Sequence, residues 1–560
     1  MGRSDPAIHA SNTSAYSAVL ARLWILSGTS PVIACLREDE KFDTCKPSKQ
    51  LPMSDYALLR RAWAGTATAA EATAPEWPHR GFAIEGDFSG IQRFVLRPVP
   101  GAAGAARRLR ARSFRVLAFT RLVAHYVEQV FSDADAHLFY AAGGRFLVVS
   151  RTCSDGQSRL AALQGALDDN LLREHRAELA FHLAGAEFKD GHVPRAALSE
   201  SLARRKLTPL ARALRNEAGW STDRFIFKSS GGGRCDGCAA TETVRLVDEE
   251  QLCHSCIADR DLGGCLLGSG PHCLVEADNG PLCLLGKRWV LSGRGPLNIS
   301  SVTHAPMQDG QLATFEQLAS RAVGRPYLGY LRIDADRIGA AFGQLENDPL
   351  RIWGLSRLLD ASFSATVDEL LSIRFPNVYP VYGGGDDLFV IGPWQDVLAF
   401  ASALRREFRT ITGDQLTFSA GVALAKKKQH ILTKSDEAED ALIAYAKGER
   451  DSIHALGTTM HWPDFDQALR AGQKLAELRA HGKIRSAILQ NILELHTRWK
   501  TGDARWHSLL YYQAERNLRE AAEVSRIVQQ MFLQPGDVWP HADFAVRYAM
   551  LASGAAQKGD

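Results

Sequence analysis

The sequence predicts an α+β chain in which two ferredoxin-like units flank a cysteine-bearing insert, with a helical N-terminal region before them and a C-terminal helical bundle after. Three observations predict it. Strand and helix patterns run in the order β-α-β-β-α-β twice, four cysteines fall in two close pairs between those runs, and the chain from Phe465 onward carries helical periodicity almost throughout. At 560 residues and 46% hydrophobic content the chain can bury several cores. Lysine and arginine total 66 against 63 acids, so a net charge of +3 gives no general attraction to nucleic acid or membrane, and any such contact must come from local patches. No stretch reaches the roughly 18 uninterrupted apolar residues of a spanning helix. Arg22 interrupts the apolar stretch 15–36, and no small-residue cleavage site follows it. Ten cysteines are too sparse for a disulfide scaffold. The expectation is a soluble cytoplasmic protein with no membrane partner.

Residues 1–80 read as helical, with apolar periodicity over 15–26 and 56–64 and an Ala/Thr-rich linker over 65–78. The first unit, 81–230, opens with a strand at 82–84 that runs into Glu85-Gly86-Asp87. A helix follows over 112–131, then strands at 138–142 and 146–150 joined through Gly143-Gly144-Arg145, a helix over 157–175 and a strand over 177–188. Residues 231–270 hold the cysteines, and 271–326 read as an irregular Gly- and Pro-rich linker. The second unit, 327–464, has a strand at 327–333, one long helix over 349–373, and a hairpin of strands 378–382 and 388–391. A helix over 394–408 and a strand over 416–424 complete it. Residues 465–560 form the helical domain, with breaks near Gly482, Gly502 and 535–540.

Cys235 and Cys238, then Cys253 and Cys256, have the spacing of two knuckles closing on a tetrahedral four-cysteine zinc site. Four thiolates leave no open position, so the metal is structural. His254 and Cys265 lie close enough in sequence for one ligand to be exchanged.

The second unit carries its chemistry on acids. Asp334 and Asp336 end its first strand, and Asp386 and Asp387 occupy the tip of its hairpin. First and third strands are neighbours in a ferredoxin-like sheet, so these acids meet at one edge and repel unless cations sit between them. Mg²⁺ or Mn²⁺ suits carboxylates and substrate phosphates, and a pair can serve attacking and leaving oxygens together. Gly383, Gly384 and Gly385 let a triphosphate approach the backbone. A lone Asp-Asp turn is more often a solvated hairpin; the apolar strands on both sides and the second Asp pair favour a site. Lys447 and Arg450 stand one turn apart near a helix end, either to bind the triphosphate or as solvated cations.

The segments Leu331-Arg332-Ile333-Asp334-Ala335-Asp336-Arg337, Tyr382-Gly383-Gly384-Gly385-Asp386-Asp387-Leu388 and Ser419-Ala420-Gly421-Val422 resemble the GGDD palm of the large subunit of type III CRISPR effector complexes. Gly86-Asp87-Phe88-Ser89-Gly90-Ile91-Gln92-Arg93-Phe94, Leu109-Arg110-Ala111-Arg112-Ser113-Phe114 and Ser452-Ile453-His454 extend the resemblance, toward the Csm branch. It implies an α+β chain of two ferredoxin-like palm domains with an inserted zinc-binding segment, a helical N-terminal region and a C-terminal helical bundle. It implies a synthase that joins ATP into cyclic oligoadenylate, switched on by target RNA paired to a guide CRISPR RNA and assembled with the repeat-associated RNA-binding backbone and small subunits. Asp334, Asp386 and Asp387 are then the Mg²⁺ or Mn²⁺ ligands, with Asp336 beside them as a catalytic residue. Gly384, Gly385, Ser419, Lys447 and Arg450 then bind nucleotide. Asp87 and Ser89 of the first, degenerate palm lie near a second ATP. The family's HD nuclease needs adjacent His-Asp, and none of the 17 histidines precedes an aspartate, so no single-stranded DNA cleavage is expected. A subunit that only holds RNA and binds nucleotide, and a stand-alone nucleotide cyclase, are the competing functions. The intact Asp pair argues against the first and the second palm against the other.

Two basic clusters remain. Arg107, Arg108, Arg110, Arg112 and Arg115 are read as contacts to RNA backbone or ATP phosphates, and Lys426-Lys427-Lys428 equally as such a contact or as a solvated face.

Overall fold

A computed structural model describes residues 53–554 except 73, 75–76, 98–103, 176–177, 210–232, 241–243, 267–271, 300, 346–347, 427–428, 430, 518–521 and 534–537. The helical reading of 1–52, and Lys427 and Lys428, lie outside the described residues. The chain forms two compact units, Met1–Thr303 with Gly343–Asp360, and His304–Phe342 with Ala361–Asp560.

In the first unit, α1 (Met53–Ala64) precedes the strand β1 (Gly81–Ser89), the helix α2 (Ala105–Val130) and the hairpin of β2 (His137–Ala142) and β3 (Arg145–Arg151). Then come α3 (Gly156–His175), β4 (Ala180–Phe188) and α4 (Arg195–Leu207). The sheet order is β2-β3-β1-β4, all neighbours antiparallel, which puts the first strand beside the third. Alternation along β1 sends Phe82, Ile84, Gly86 and Phe88 to one face and Ala83, Glu85, Asp87 and Ser89 to the other. Phe82 stacks on Phe131, which follows α2, at 5.7 Å between ring centres. On the opposite face α4, absent from the sequence reading, buries Leu198 and Leu202 against Ala83, Leu147, Val149 and Phe188. A short run of basic residues ends α4, and their charge hid its apolar spacing.

The insert contributes a hairpin, β5 (Val244–Val247) and β6 (Glu250–Cys253), and the helix α5 (His254–Cys265). Helix α5 lies so close to α2 that a Cβ on Gly263 would fall 2.0 Å from the Arg107 carbonyl oxygen. The linker expected over 271–326 is corrected by the structure. β7 (His272–Glu276), β8 (Leu282–Leu284), β9 (Lys287–Ser292) and β10 (Leu297–Ile299) make an antiparallel sheet in the order β10-β7-β9-β8. The strands are three to six residues long, too short for alternation to stand out from the glycines between them.

The second unit is centred on β11 (Leu328–Ala335). After it come α6 (Pro349–Phe363), α7 (Ala365–Ile373), β12 (Tyr379–Gly384), β13 (Asp387–Pro393), α8 (Trp394–Thr412) and β14 (Phe418–Ala425). Beyond these lie α9 (Ile431–Asp440), β15 (Ser452–Ala455) and β16 (Thr458–His461). The sheet order is β12-β13-β11-β14-β15-β16, parallel only between β14 and β15. The single long helix expected over 349–373 is broken at Ser364. Its first part lies with the first unit through Gly343–Asp360, where Gly354 has no room for a Cβ, 2.5 Å from the Trp63 backbone nitrogen. Helix α8 shows why periodicity succeeds where it does: Trp394, Val397, Leu398, Ala401, Leu404, Phe408 and Ile411 recur every three or four residues and are buried, and Gly413, at φ 62°, ends the helix.

Between α9 and β15 the backbone makes a π-helical turn, Ala441–Ala446, then the short helix Lys447–Glu449. This turn rests on Gly421 of β14, where a Cβ would meet the Ala438 oxygen and the Leu442 nitrogen at 2.3 Å each. Gly421→Ala is therefore expected to push the turn off the sheet and cost about 1–3 kcal/mol, read as a lowered midpoint in chemical denaturation; an unchanged midpoint contradicts this packing.

Among the described residues, five α-helices follow: α10 (Trp462–Ala480), α11 (Ser486–Lys500), α12 (Trp506–Asn517), α13 (Ala522–Phe532) and α14 (Ala542–Ala552). Leu475, Leu489, Ile492, Val528, Phe532, Trp539 and Val546 are among the residues of their common core. No described helix is long and apolar enough to cross a membrane.

Candidate functional site: the acid row of the second sheet

The loop Gly385-Asp386 joins β12 to β13 in two residues, with φ of 145° at Gly384 and 67° at Gly385. Only glycine reaches the first of these without strain. The Asp386 carbonyl accepts the Ala335 N–H at 2.9 Å, fastening the hairpin tip to the end of β11. Strand register then sets Asp334 directly across from Asp387, while Asp334 faces Ser419 on its other side. Two acids opposite one another on neighbouring strands, with Asp386 at the adjoining tip, form a row of like charge that destabilises itself in the absence of a cation.

The titration of the row reflects this. Burial raises the Asp334 carboxyl, Lys447 opposes it, and Asp386 and Asp336 add to it, for a net rise. Asp387 is pushed up to about 7 by burial first; Arg332 opposes, and Asp334, Asp386 and Glu439 add to the rise. Carboxylate oxygens are hard donors of the kind a divalent cation such as Mg²⁺ or Mn²⁺ takes, although among the described residues only the four cysteines have their ligand atoms gathered within 4.8 Å.

Asp336 is not part of that row. Its carboxylate accepts from the hydroxyls of Thr417 and Ser419 at 2.8 Å each, from the Lys447 ammonium at 2.9 Å and from the Asp451 N–H at 3.0 Å. Burial works against its charge, but these donors hold the carboxyl below the ordinary carboxylate range. With its lone pairs taken by these donors, Asp336 is placed to position Lys447, a role that differs from the catalytic one expected of it. The Ser419 hydroxyl, expected to bind nucleotide, is buried and donates to Asp336. Lys447 also donates to the carbonyls of Asp334 and Ala335 at 2.9 Å each and pairs with the Asp334 carboxylate. Its ammonium is thus locked beside the acid row. Arg450 is exposed, at φ 60°, just past Lys447. Asp336→Asn keeps most of the outline but removes the charge Lys447 faces. It is expected to lower turnover about tenfold with the fold retained; full activity contradicts the positioning role.

Sequence reading missed Arg332. Two residues before Asp334 and therefore on the same face, it is buried, pairs with Glu439 of α9, and lies over the rings of Tyr382 and Phe389. A charged residue inside an apolar strand is the signal that could have found it.

Four of the five arginines read as contacts to RNA or ATP phosphates are corrected; the fifth, Arg107, is only half-buried. Arg108 pairs with Glu250 at 3.0 Å, and Arg112 and Arg115 grip Asp259 at 2.7 and 2.9 Å. Arg110 donates to the Leu266 carbonyl at 2.9 Å. These side chains are buried and fasten α2 to the cysteine insert, so they present nothing to RNA or ATP phosphates. Their ladder spacing along the helix suits a partner helix equally well, and the sequence does not reveal which it meets.

The four cysteines do converge. The sulfurs of Cys235, Cys238, Cys253 and Cys256 lie within 4.8 Å of one another and are buried. Cys238 and Cys253 sulfurs are 3.7 Å apart, close to the edge of about 3.8 Å that a tetrahedron with 2.3 Å zinc bonds has. Gly237 in the first knuckle leaves room for them, since a Cβ there would fall 2.9 Å from the Cys256 sulfur. The donor set fits structural zinc.

A ferredoxin-like sheet with an acid row at the tip of its central hairpin defines a nucleotidyl-transfer palm. Residues 327–454 match the model of the Cas10/Cmr2 second palm domain, and residues 82–216 match that of Csm1 subunit domain B. The chain is similar to the Cas10/Csm1 proteins of subtype III-A CRISPR systems. It is 24% identical over 508 residues to the single-strand-specific deoxyribonuclease Cas10/Csm1 of Thermococcus onnurineus, covering 77% of this chain and 64% of that one. It is 25% identical over 461 residues to the corresponding protein of Enterococcus italicus, covering 73% and 59%. The chain thus spans less than two thirds of the length of these relatives. Among solved structures, a Csm1–Csm4 subcomplex of the type III-A interference complex aligns with a TM-score of 0.63 at 20% identity, covering 85% of this chain and 70% of that one. A Csm1–Csm4 cassette in complex with cA4 aligns at 0.61 and 20% identity, covering 88% and 72%.

Proposed function

We propose that this chain is the catalytic large subunit of a type III CRISPR effector complex and makes cyclic oligoadenylate from ATP when target RNA pairs with the guide RNA. The observation that carries the reading is the cross-strand pair Asp334 and Asp387 with Asp386 at the adjoining tip. That acid row lies within a stretch matching a Cas10/Cmr2 palm. Solved relatives of the same fold are described in complex with one ATP and with cA4, which supports adenosine nucleotides as substrate and product here.

Asp334, Asp386 and Asp387 would hold Mg²⁺ or Mn²⁺, which supplies activation of a ribose 3′-hydroxyl and neutralisation of the departing pyrophosphate. The chain's own residues do the rest. Gly384 and Gly385 keep side chains away from the triphosphate, and the N–H groups of the turn are available to its oxygens. Lys447, held by Asp336 and two carbonyls, keeps a fixed positive charge beside the α9 side of the row. Arg332, out of water, keeps a second one behind Asp387. Asp87 and Ser89 of the first sheet belong to the site for the acceptor ATP. Zinc at Cys235, Cys238, Cys253 and Cys256 braces the insert. The partners are ATP, guide and target RNA, and the other effector subunits, in the cytoplasm. The deoxyribonuclease activity named for the relatives is not assigned to these residues, among which no His-Asp pair occurs.

The test is to incubate the assembled complex with complementary RNA, ATP and Mg²⁺ and to analyse the products by mass spectrometry. Cyclic oligoadenylates, absent when RNA is omitted or EDTA added, are expected. ATP left unconverted, or conversion to a cyclic mononucleotide alone, overturns the reading in favour of an RNA-holding subunit or a free-standing cyclase.

A further inference from the structure

The two sheets can be compared residue by residue through their registers. Asp87 pairs with Arg145 and His182, as Asp334 pairs with Asp387 and Ser419. The Phe88 N–H donates to the Gly144 carbonyl at 3.0 Å, as the Ala335 N–H does to that of Asp386 at 2.9 Å. Gly143 and Gly144 therefore correspond to Gly385 and Asp386, Arg145 to Asp387, and Glu85 to Arg332. At matching positions the charge is inverted: an arginine stands where the second sheet has an acid, and an acid where it has an arginine.

The consequences are local and measurable. Arg145 reaches Asp87 at 3.3 Å and Glu85 at 3.1 Å. Lys206, from the end of α4, meets Asp87 at 2.6 Å. Arg195 and Arg205 add positive potential, acting on Glu85 and His182 respectively. Cations outnumber the two acids here, so the strand end attracts anions where its counterpart attracts cations. Arg145 and Lys206 are 45% and 37% exposed, which leaves them accessible to a ligand, and an ammonium carries three donors of which Asp87 takes one. Ser89, one pleat beyond Asp87 and roughly 7 Å from it, shares a hydrogen bond of 2.9 Å with His182, the residue directly opposite Asp87 on β4. Burial, and then Lys206, lowers His182 to about 4, so at neutral pH this pair is an uncharged donor and acceptor suited to a sugar hydroxyl. Cations around Asp87 and, beside them, a neutral donor and acceptor pair offer groups for the phosphates and a sugar hydroxyl of a nucleoside phosphate.

We propose that the first sheet binds its nucleotide without a divalent metal, Lys206 and Arg145 holding the phosphates in place of the cation that the acid row of the second sheet requires. This deepens the acceptor site assigned above and rests on that reading. His182 and Ser89 orient the ribose, and the two sheets are distinguished by their response to chelation.

The test uses the full chain carrying Asp386→Ala and Asp387→Ala, so that the second sheet takes no metal, and measures ATP binding by calorimetry in Mg²⁺ and in EDTA. One ATP site of equal affinity in both media is expected. Lys206→Ala in the same background should weaken it about tenfold or more, with Lys206→Arg restoring most of the loss. Arg145→Asp should make the remaining affinity depend on Mg²⁺. Binding that vanishes in EDTA and returns with Mg²⁺, binding indifferent to Lys206→Ala, or no binding in either medium overturns the proposal. Circular dichroism of each variant checks that it is folded. The assay involves no turnover, so cyclic oligoadenylate production by the unmutated complex stands or falls separately.

Discussion

Asp386→Ala combined with Asp387→Ala is expected to reduce oligoadenylate synthesis by the assembled complex at least about a thousandfold while leaving the chain folded. The proposed cation would lose two of its three carboxylates, and metal assistance of phosphoryl chemistry contributes several kcal/mol of barrier reduction, where each 1.36 kcal/mol is tenfold in rate. The fold should survive because both residues stand at a hairpin tip. Its geometry comes from Gly384 and Gly385 and from the bond between the Ala335 N–H and the residue 386 carbonyl, which alanine keeps. Removing the acids also relieves repulsion across the Asp334 and Asp387 pair, so the double variant should be no less stable than the parent. Rate by product chromatography and stability by chemical denaturation check both halves; substantial residual synthesis contradicts the assignment.

The second large effect is structural. Asp259 lies buried between Arg112 and Arg115, which donate at 2.7 and 2.9 Å. Asp259→Ala leaves two guanidinium groups buried against one missing partner, a change that costs about 3–5 kcal/mol in comparable sites. Helix α5, which carries Cys256, should lose hydrogen-exchange protection by that amount, and the metal should leave the cysteine cluster faster under a chelator. Unchanged protection across residues 254–265 contradicts the role given to this ion-pair group. The pH dependence follows in sign. Burial alone would raise the Asp259 carboxyl, but Arg112 and Arg115 outweigh it and hold the native pKa below the ordinary one. Its contribution is therefore complete above the unfolded value of about 3.9 and is lost as pH falls through the lower native value. The part of the stability that depends on Asp259 should fall only below about pH 4 in the parent and be missing from Asp259→Ala.

Much of the two sheets and of the acid row is legible in the sequence, for identifiable reasons. Phe418–Ala425 and Asp387–Pro393 are apolar strands of ordinary length, Trp394–Thr412 has a full helical stripe and a glycine stop, and the glycine run before Asp386 announces its turn. The cysteine pairs needed only spacing. What the sequence concealed depends on tertiary partners. Arg108, Arg112 and Arg115 look like a nucleic-acid surface until Glu250 and Asp259, more than 140 residues away, appear opposite them. Asp336 looks like a fourth metal carboxylate until Thr417, Ser419, Lys447 and the Asp451 N–H take its oxygens. The short strands within 272–299 and the added pair Ser452–Ala455 and Thr458–His461 are held by register rather than by pattern. The sequence shows Gly143-Gly144-Arg145 where the second unit has its acid pair; that Arg145 meets Glu85 and Asp87 emerges only from the fold.

The central claim is that Asp334, Asp386 and Asp387 form a divalent-metal centre, and the most direct measurement is the Mn²⁺ bound by the full chain with a non-hydrolysable ATP analogue, read by electron paramagnetic resonance. The account predicts Mn²⁺ bound only when the row is intact, with signal lost in Asp334→Asn and Asp387→Asn and retained in Lys206→Ala. No bound Mn²⁺ in the parent, or the same amount in the row variants, would contradict it.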